Sequence, residues 1–155
     1  MPGVFRAMLP DAGEPELVQY SPYKMHQRAA SAFRVGRVVL AGDAAHVTNP
    51  TGGLGLTSGL FDSYVLSEAL AAVVHGEADE EVLDRYAEQR RTVFLELASP
   101  MAIAFKQLVY GCADDRALEE ALGGIRRAVA DPELRVRQMM VSRPPETPSL
   151  LTQTA

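Results

Sequence analysis

The chain has 155 residues, 47% of them apolar, and a formal net charge of −5. That is enough apolar material for one domain with a core and too much for a wholly disordered chain. The acidic balance argues against nonspecific nucleic-acid binding, which needs a positive surface. The lone Cys112 cannot form an internal disulfide, and no closely spaced Cys/His set offers a structural zinc site.

In chain order, the opening MPGVFRAMLPDAGEPE is broken by Arg6, Pro10 and Asp11 and lacks a signal-peptide core. No uninterrupted apolar stretch is long enough to span a bilayer. The expectation is a soluble, cytoplasmic chain with neither membrane nor nucleic acid among its partners. Residues 17–28 mix apolar and polar side chains around Pro22 and read as an extended segment. Residues 29–36 read as a turn ending in Gly36, and the apolar run 37–42 as a buried strand. Asp43 then stands at that strand's C-terminal end, where open α/β sheets place ligand contacts.

After Pro50 and a cluster of glycines, Thr57 or Ser58 is the expected cap of a helix whose apolar positions run from Leu60 to Val73. Gly76 stops it, with His75 in the last turn. A second helix is expected over 79–98, with acidic residues at its start, Arg90 and Arg91 near its end, and Pro100 terminating it. Further helices are expected over 101–110, over 116–129 despite Gly123 and Gly124, and from Pro132 to Arg137. The end, SRPPETPSLLTQTA, reads as a flexible tail that needs no fold.

The chemistry concentrates in 40–63, LAGDAAHVTNPTGGLGLTSGLFDS. An Asp at a strand end accepts hydrogen bonds from ligand hydroxyls, and successive glycines leave backbone N–H groups uncovered. A helix N-terminus beside them favours an anionic or electron-rich ligand edge. Together they suit a polar cofactor with hydroxyls and carbonyls, such as a flat heterocycle on a polyol. The glycine spacing is neither the G-x-G-x-x-G dinucleotide fingerprint nor a P-loop, which needs a Lys.

The order GRVVLAGDAAHVTNPTGGLGLTSGLFDSYVLSEALAAVV resembles the second flavin-binding motif of the single-component FAD-dependent aromatic monooxygenases, the p-hydroxybenzoate hydroxylase-like class. His26-Gln27-Arg28, Phe33 to Arg37, Asp84-Arg85-Tyr86 and Gln89-Arg90-Arg91 extend the resemblance, which covers about half the chain. It implies that Asp43 accepts from the ribityl hydroxyls of FAD and that Pro50 lies near the flavin ring. It also implies that Gly52, Gly53, Gly55 and Leu56 bring backbone close to the pyrimidine edge, beside the helix starting at Thr57. The family usually has Asn where Thr57 stands. Arg28 either neutralises a phosphate or forms an interdomain salt bridge, and Asp62 pairs with Arg28 or caps backbone near the helix start. His26 and His46 are not assigned to acid–base catalysis, and Tyr20, Tyr23 and Met25 are candidates for the substrate side.

The implied fold class is α/β, a partial FAD-binding domain of the p-hydroxybenzoate hydroxylase-like fold, mostly helical after the flavin motif and without the N-terminal βαβ unit. Residues 1–34 correspond to the end of a substrate-domain sheet and its return strand, 35–98 to the C-terminal part of the FAD domain, 99–141 to C-terminal helices and 142–155 to the tail. The implied reaction is FAD-dependent hydroxylation of an aromatic or polycyclic compound with NADPH or NADH as reductant. The expected partners are that small-molecule substrate and either a separately encoded N-terminal half or a homo-oligomer. The rival reading is a truncated, non-catalytic or partner-dependent flavoprotein fragment.

Overall fold

The computed structural model describes residues 8, 10, 11, 13, 16, 18–140 and 146–151. Strands β1 (Arg28–Ala29) and β4 (His46–Val47) pair antiparallel, with Arg28 opposite Val47 and Ala29 opposite His46. Strands β2 (Arg34–Val35) and β3 (Val38–Val39) form a separate antiparallel hairpin, turned at Gly36 with φ +58°. Glycine adopts that left-handed backbone without the Cβ penalty.

The expected long strands are therefore corrected. Residues 18–27 lie outside any strand, Leu17 is outside the described residues, and the turn falls at Gly36 within a hairpin rather than ending at it. The run 37–42 contributes only Val38 and Val39 to pairing, and Val38 is 63% exposed. Apolar content signalled a buried strand, but the pairing partner is a two-residue neighbour, so one face of the hairpin stays open. Gly42–Ala44 then turn as a short 3-10 segment that feeds β4.

Helix α1 (Leu54–His75) buries Leu54, Ser58, Asp62, Val65, Ala69 and Ala72, a stripe at intervals of three and four residues. Gly53, φ +70°, stands at its cap position with no side-chain cap, four residues before Thr57. Thr57 sits inside the first turn, its hydroxyl donating to the Gly53 carbonyl at 3.1 Å. The C-terminus is as expected: Gly76 at φ +73° donates to Ala72 and Val73 carbonyls, with His75 in the last turn.

Helix α2 (Glu81–Val93) opens with Glu81 and Asp84 and closes with Arg90 and Arg91, charges that suit its dipole. Pro100 was expected to end this helix and does not. Residues Phe94–Ala98 form a π turn, in which the Ser99 N–H reaches the Phe94 carbonyl five residues back, and α3 (Ser99–Tyr110) continues with Pro100 in its first turn. Proline lacks the N–H an α-helix would demand there, and the wider turn removes that demand. The helical path from Glu81 to Tyr110 is 30 residues and, by length and composition alone, long and apolar enough to cross a membrane. Glu96, Pro100 and Lys106 interrupt its apolar part, so it is not an uninterrupted apolar stretch.

Helix α4 (Asp115–Ala130) is capped by Asp114, whose carboxylate accepts from the Ala117 N–H at 2.8 Å, and it runs through Gly123 and Gly124. In α5 (Pro132–Met140), Asp131 accepts from the Glu133 and Leu134 N–H groups. The core packs Val65 and Ala69 of α1 against Val82, Leu83 and Tyr86 of α2, together with Leu150. The tail expectation is thus corrected for 146–151, where Leu150 is 1% exposed and the Ser149 hydroxyl donates to Glu68 at 3.0 Å. Residues 142–145 and 152–155 of that expected tail lie outside the described residues.

Candidate functional site

The loop between β4 and α1 folds as it does because two local contacts close it. The Asn49 side-chain carbonyl accepts from the Thr51 N–H at 3.1 Å, and the Gly53 N–H donates to the Pro50 carbonyl at 3.1 Å. The Asn49 amide also donates to Gln27 at 2.9 Å, and Gln27 donates to the carbonyl and hydroxyl of Ser99, at 2.9 and 2.8 Å. The loop is thereby tied to the π-turn junction. Asn49 is 3% exposed, so its amide is a buried brace and not a surface decoration.

Beside this loop lies an open cleft of about 320 Å³ lined by Asp43, Val47, Thr48, Asn49, Pro50, Gly53, Gly55 and Leu56. Five of the residues singled out in the sequence, Asp43, Pro50, Gly53, Gly55 and Leu56, meet there. The first intrahelical hydrogen bond of α1 runs from the Thr57 N–H to the Gly53 carbonyl at 3.4 Å. The N–H groups of Leu54, Gly55 and Leu56 precede it, so the helix presents its positive end at the cleft. A Cβ at Gly53 would meet nothing within 4 Å, whereas one at Gly55 would press on the Thr48 methyl at 3.3 Å. The cleft thus combines a carboxylate acceptor with backbone donors.

Three of the singled-out residues stand elsewhere. Gly52, φ +91°, lies under the Phe105 ring, which a Cβ would strike at 2.5 Å. Thr57 points its hydroxyl along the helix. Arg28 is exposed on β1 and does not line the cleft. Tyr20, Tyr23, Met25 and His26 are all exposed as well.

The pairing expected between Asp62 and Arg28 is corrected. Asp62 is fully buried, and its Oδ1 accepts from Arg90 Nε at 2.7 Å while Oδ2 accepts from His46 Nε2 at 2.6 Å and from the Gly42 N–H at 3.0 Å. Burial on its own pushes this carboxyl upward. The hydrogen bonds from His46 and Arg90, the Arg90 charge and the Gly42 N–H outweigh that, so its pKa is lowered and Asp62 is ionised. His46 therefore donates through Nε2. Its ring, 2% exposed, stacks on Phe94 with centroids 4.2 Å apart, and Nδ1 has no partner among the described residues.

Arg90 also donates to the Thr147 hydroxyl at 2.7 Å and to the Ser58 carbonyl at 3.3 Å. Nearby, the Tyr86 hydroxyl donates to the Leu40 carbonyl at 2.9 Å. Its pKa is driven up by burial first and by the Asp62 charge second, against the opposing charge of Arg90. Sequence reasoning missed this cluster. Its signal was present as charge on the apolar stripe: Asp62 falls between Ser58 and Val65 on α1, and Arg90 follows Tyr86 by one turn on α2.

Comparison with known proteins bears on the same region. Residues 3–99 match the family described as FAD binding domain. Over 99 residues, 64% of this chain, it is 52% identical to a 6-hydroxy-3-succinoylpyridine 3-monooxygenase of Pseudomonas putida, of which the match spans 25%. A para-nitrophenol 4-monooxygenase of a Pseudomonas species is 51% identical over 107 residues, 67% of this chain and 27% of the relative. The crystal structure of a p-nitrophenol 4-monooxygenase from Pseudomonas putida superposes with a TM-score of 0.77 at 39% identity, covering 99% of this chain and 39% of that one. The chain therefore spans about a quarter of the length of these curated relatives. With the family match covering more than half of the chain and the solved relative following nearly all of it, this polypeptide belongs to the FAD-binding aromatic monooxygenases, the p-hydroxybenzoate hydroxylase-like class of single-component flavoproteins.

Proposed function

We propose that this chain supplies the ring-side half of the FAD site in an NAD(P)H-using monooxygenase that hydroxylates an aromatic or polycyclic compound. The observation that carries the reading is the cleft at the start of α1, where the Asp43 carboxylate and the leading N–H groups of a 22-residue helix share one space. That donor set fits the ribityl chain and pyrimidine edge of a flavin: hydroxyls to Asp43, carbonyl oxygens to backbone N–H. When bound, FAD supplies the redox chemistry, accepting a hydride from NAD(P)H and activating O2.

The residues of this chain bind and orient. Asp43 holds the polyol, Gly53 and Gly55 allow backbone to approach the ring edge, and Pro50 closes the wall without offering an N–H. The N-terminus of α1 stabilises negative charge developing on the ring edge. The first two relatives act, by their names, on 6-hydroxy-3-succinoylpyridine and para-nitrophenol. A small ring bearing a hydroxyl group is the substrate class carried over from them. We assign the ADP half of FAD to polypeptide beyond these 155 residues, whether further sequence or a separately encoded half, in the reducing cytoplasm that a lone thiol tolerates.

The test is a titration of the purified chain with riboflavin, FMN, FAD and ADP, followed by flavin fluorescence. Contacts limited to ring and ribityl predict similar affinities for all three flavins, on the order of 0.1–1 mM (about −4 to −5.5 kcal/mol), and no competition by ADP. A folded chain that binds no flavin, or one from which ADP displaces FAD, overturns the assignment.

A further inference from the structure

The loop carrying Asp43 is held from behind by the buried groups His46, Asp62 and Arg90, none of which lines the cleft. Gly42 adopts φ +57°, and its Cα comes so near helix α1 that a Cβ built on Gly59 would sit 3.1 Å from it. One turn further along α1, Asp62 takes the Gly42 N–H with an oxygen that is also bonded to His46. Gly42 and His46 thus bracket Asp43 on the chain, and one buried carboxylate grips both. Arg90, 1% exposed, holds the other oxygen, so the carboxylate cannot rotate without breaking a charge-assisted bond. Asp43 itself is exposed, and its direction depends on this grip.

We infer that Asp62 is a positioning residue for the cofactor loop: braced by Arg90, its carboxylate clamps Gly42 and His46 and so aims the Asp43 carboxylate into the cleft. This rests on the reading of the cleft as the ring-side flavin site. In Asp62→Asn the side chain offers one oxygen where the carboxylate offers two. The charged Arg90 donor takes it, since hydrogen bonds to an ion are about twice as strong as neutral ones. The Gly42 N–H is then left facing an amide NH2, donor against donor, and the loop swings away.

The experiment compares riboflavin with lumiflavin, which has the same ring without the ribityl hydroxyls, by titrating wild type, Asp62→Asn and Asp43→Ala into micromolar flavin and following fluorescence. A clamp acting through Asp43 weakens riboflavin binding about tenfold in Asp62→Asn, the loss of roughly one hydrogen bond, and leaves lumiflavin binding unchanged. Equal weakening of both flavins marks general loosening of the fold and overturns the inference, as does no weakening of either. If Asp62→Asn does not fold, Asp62→Glu keeps the charge opposite Arg90 while moving the oxygens by one methylene, and the same riboflavin-to-lumiflavin ratio decides. Asp43→Ala separates the two levels: if it leaves riboflavin binding intact, the flavin reading itself fails. If it weakens riboflavin alone and Asp62→Asn does not, only the positioning role fails.

Discussion

Asp62 and Arg90 form a buried ion pair at 2.7 Å with almost no solvent access on either side. Such a pair contributes little net stability, but removing one partner strands the other charge. Arg90→Met is therefore expected to cost about 3–5 kcal/mol, and the double variant Asp62→Asn/Arg90→Met to recover most of it, as measured by urea unfolding. A single-variant cost near zero would mean that Asp62 is not ionised in the folded chain. The pH dependence has a definite sign. The folded pKa of Asp62 lies below the ordinary aspartate value of 3.8, so its stabilisation is present above 3.8 and is lost as pH falls through the folded value. The Tm gap between wild type and Asp62→Asn should thus be constant above 3.8 and narrow below it. A gap that stays constant down to about pH 2 contradicts the assignment. Neither residue was legible as a pair, because they lie 28 positions apart and only the antiparallel packing of two helices joins them.

At the scale of elements, helices were read well where punctuation is local and poorly where it is relational. Gly76 announces an end by chemistry that needs no tertiary context. The start of α1 carries no side-chain cap, so Thr57 and Ser58 attracted the assignment that belongs to Gly53. Pro100 misled for a related reason: a π turn is a property of the joined helices and leaves no composition signal. That junction also delivers Phe105 onto Gly52, so loop and α3 are tied by packing. Gly52→Ala meets two penalties, the strained φ of +91° and a Cβ 2.5 Å from the Phe105 ring. The expected cost is about 2–4 kcal/mol, of which the φ part is roughly 1–2. In a Phe105→Ala background the steric part disappears while the backbone part remains, so the cost of Gly52→Ala should fall by about half. An unchanged cost would show that the ring moves aside freely.

For the whole molecule, the legible part is the motif and the illegible part is what closes around it. The two-residue strands have no periodic signal, and the apolar run through Val38 spoke of burial that the described residues do not provide. The C-terminal residues present the reverse case. Pro144, Pro145 and Pro148 made 142–155 look like a tail, yet Leu150 closes the core against Val65, Val82 and Tyr86, and Thr147 caps the Arg90 guanidinium. A tail that needs no fold would tolerate Leu150→Ala with a change below about 0.5 kcal/mol. A Leu buried to 1% exposure behaves otherwise. Its truncation leaves a cavity between α1 and α2 and should cost about 2–5 kcal/mol. Because that cavity adjoins the helix pair carrying Asp62 and Arg90, the effects of Leu150→Ala and Arg90→Met should be non-additive by about 0.5 kcal/mol or more. Strict additivity would confine the closing segment to packing alone. A coupling of that size would tie the 146–151 segment to the buried charge cluster that holds the cofactor loop.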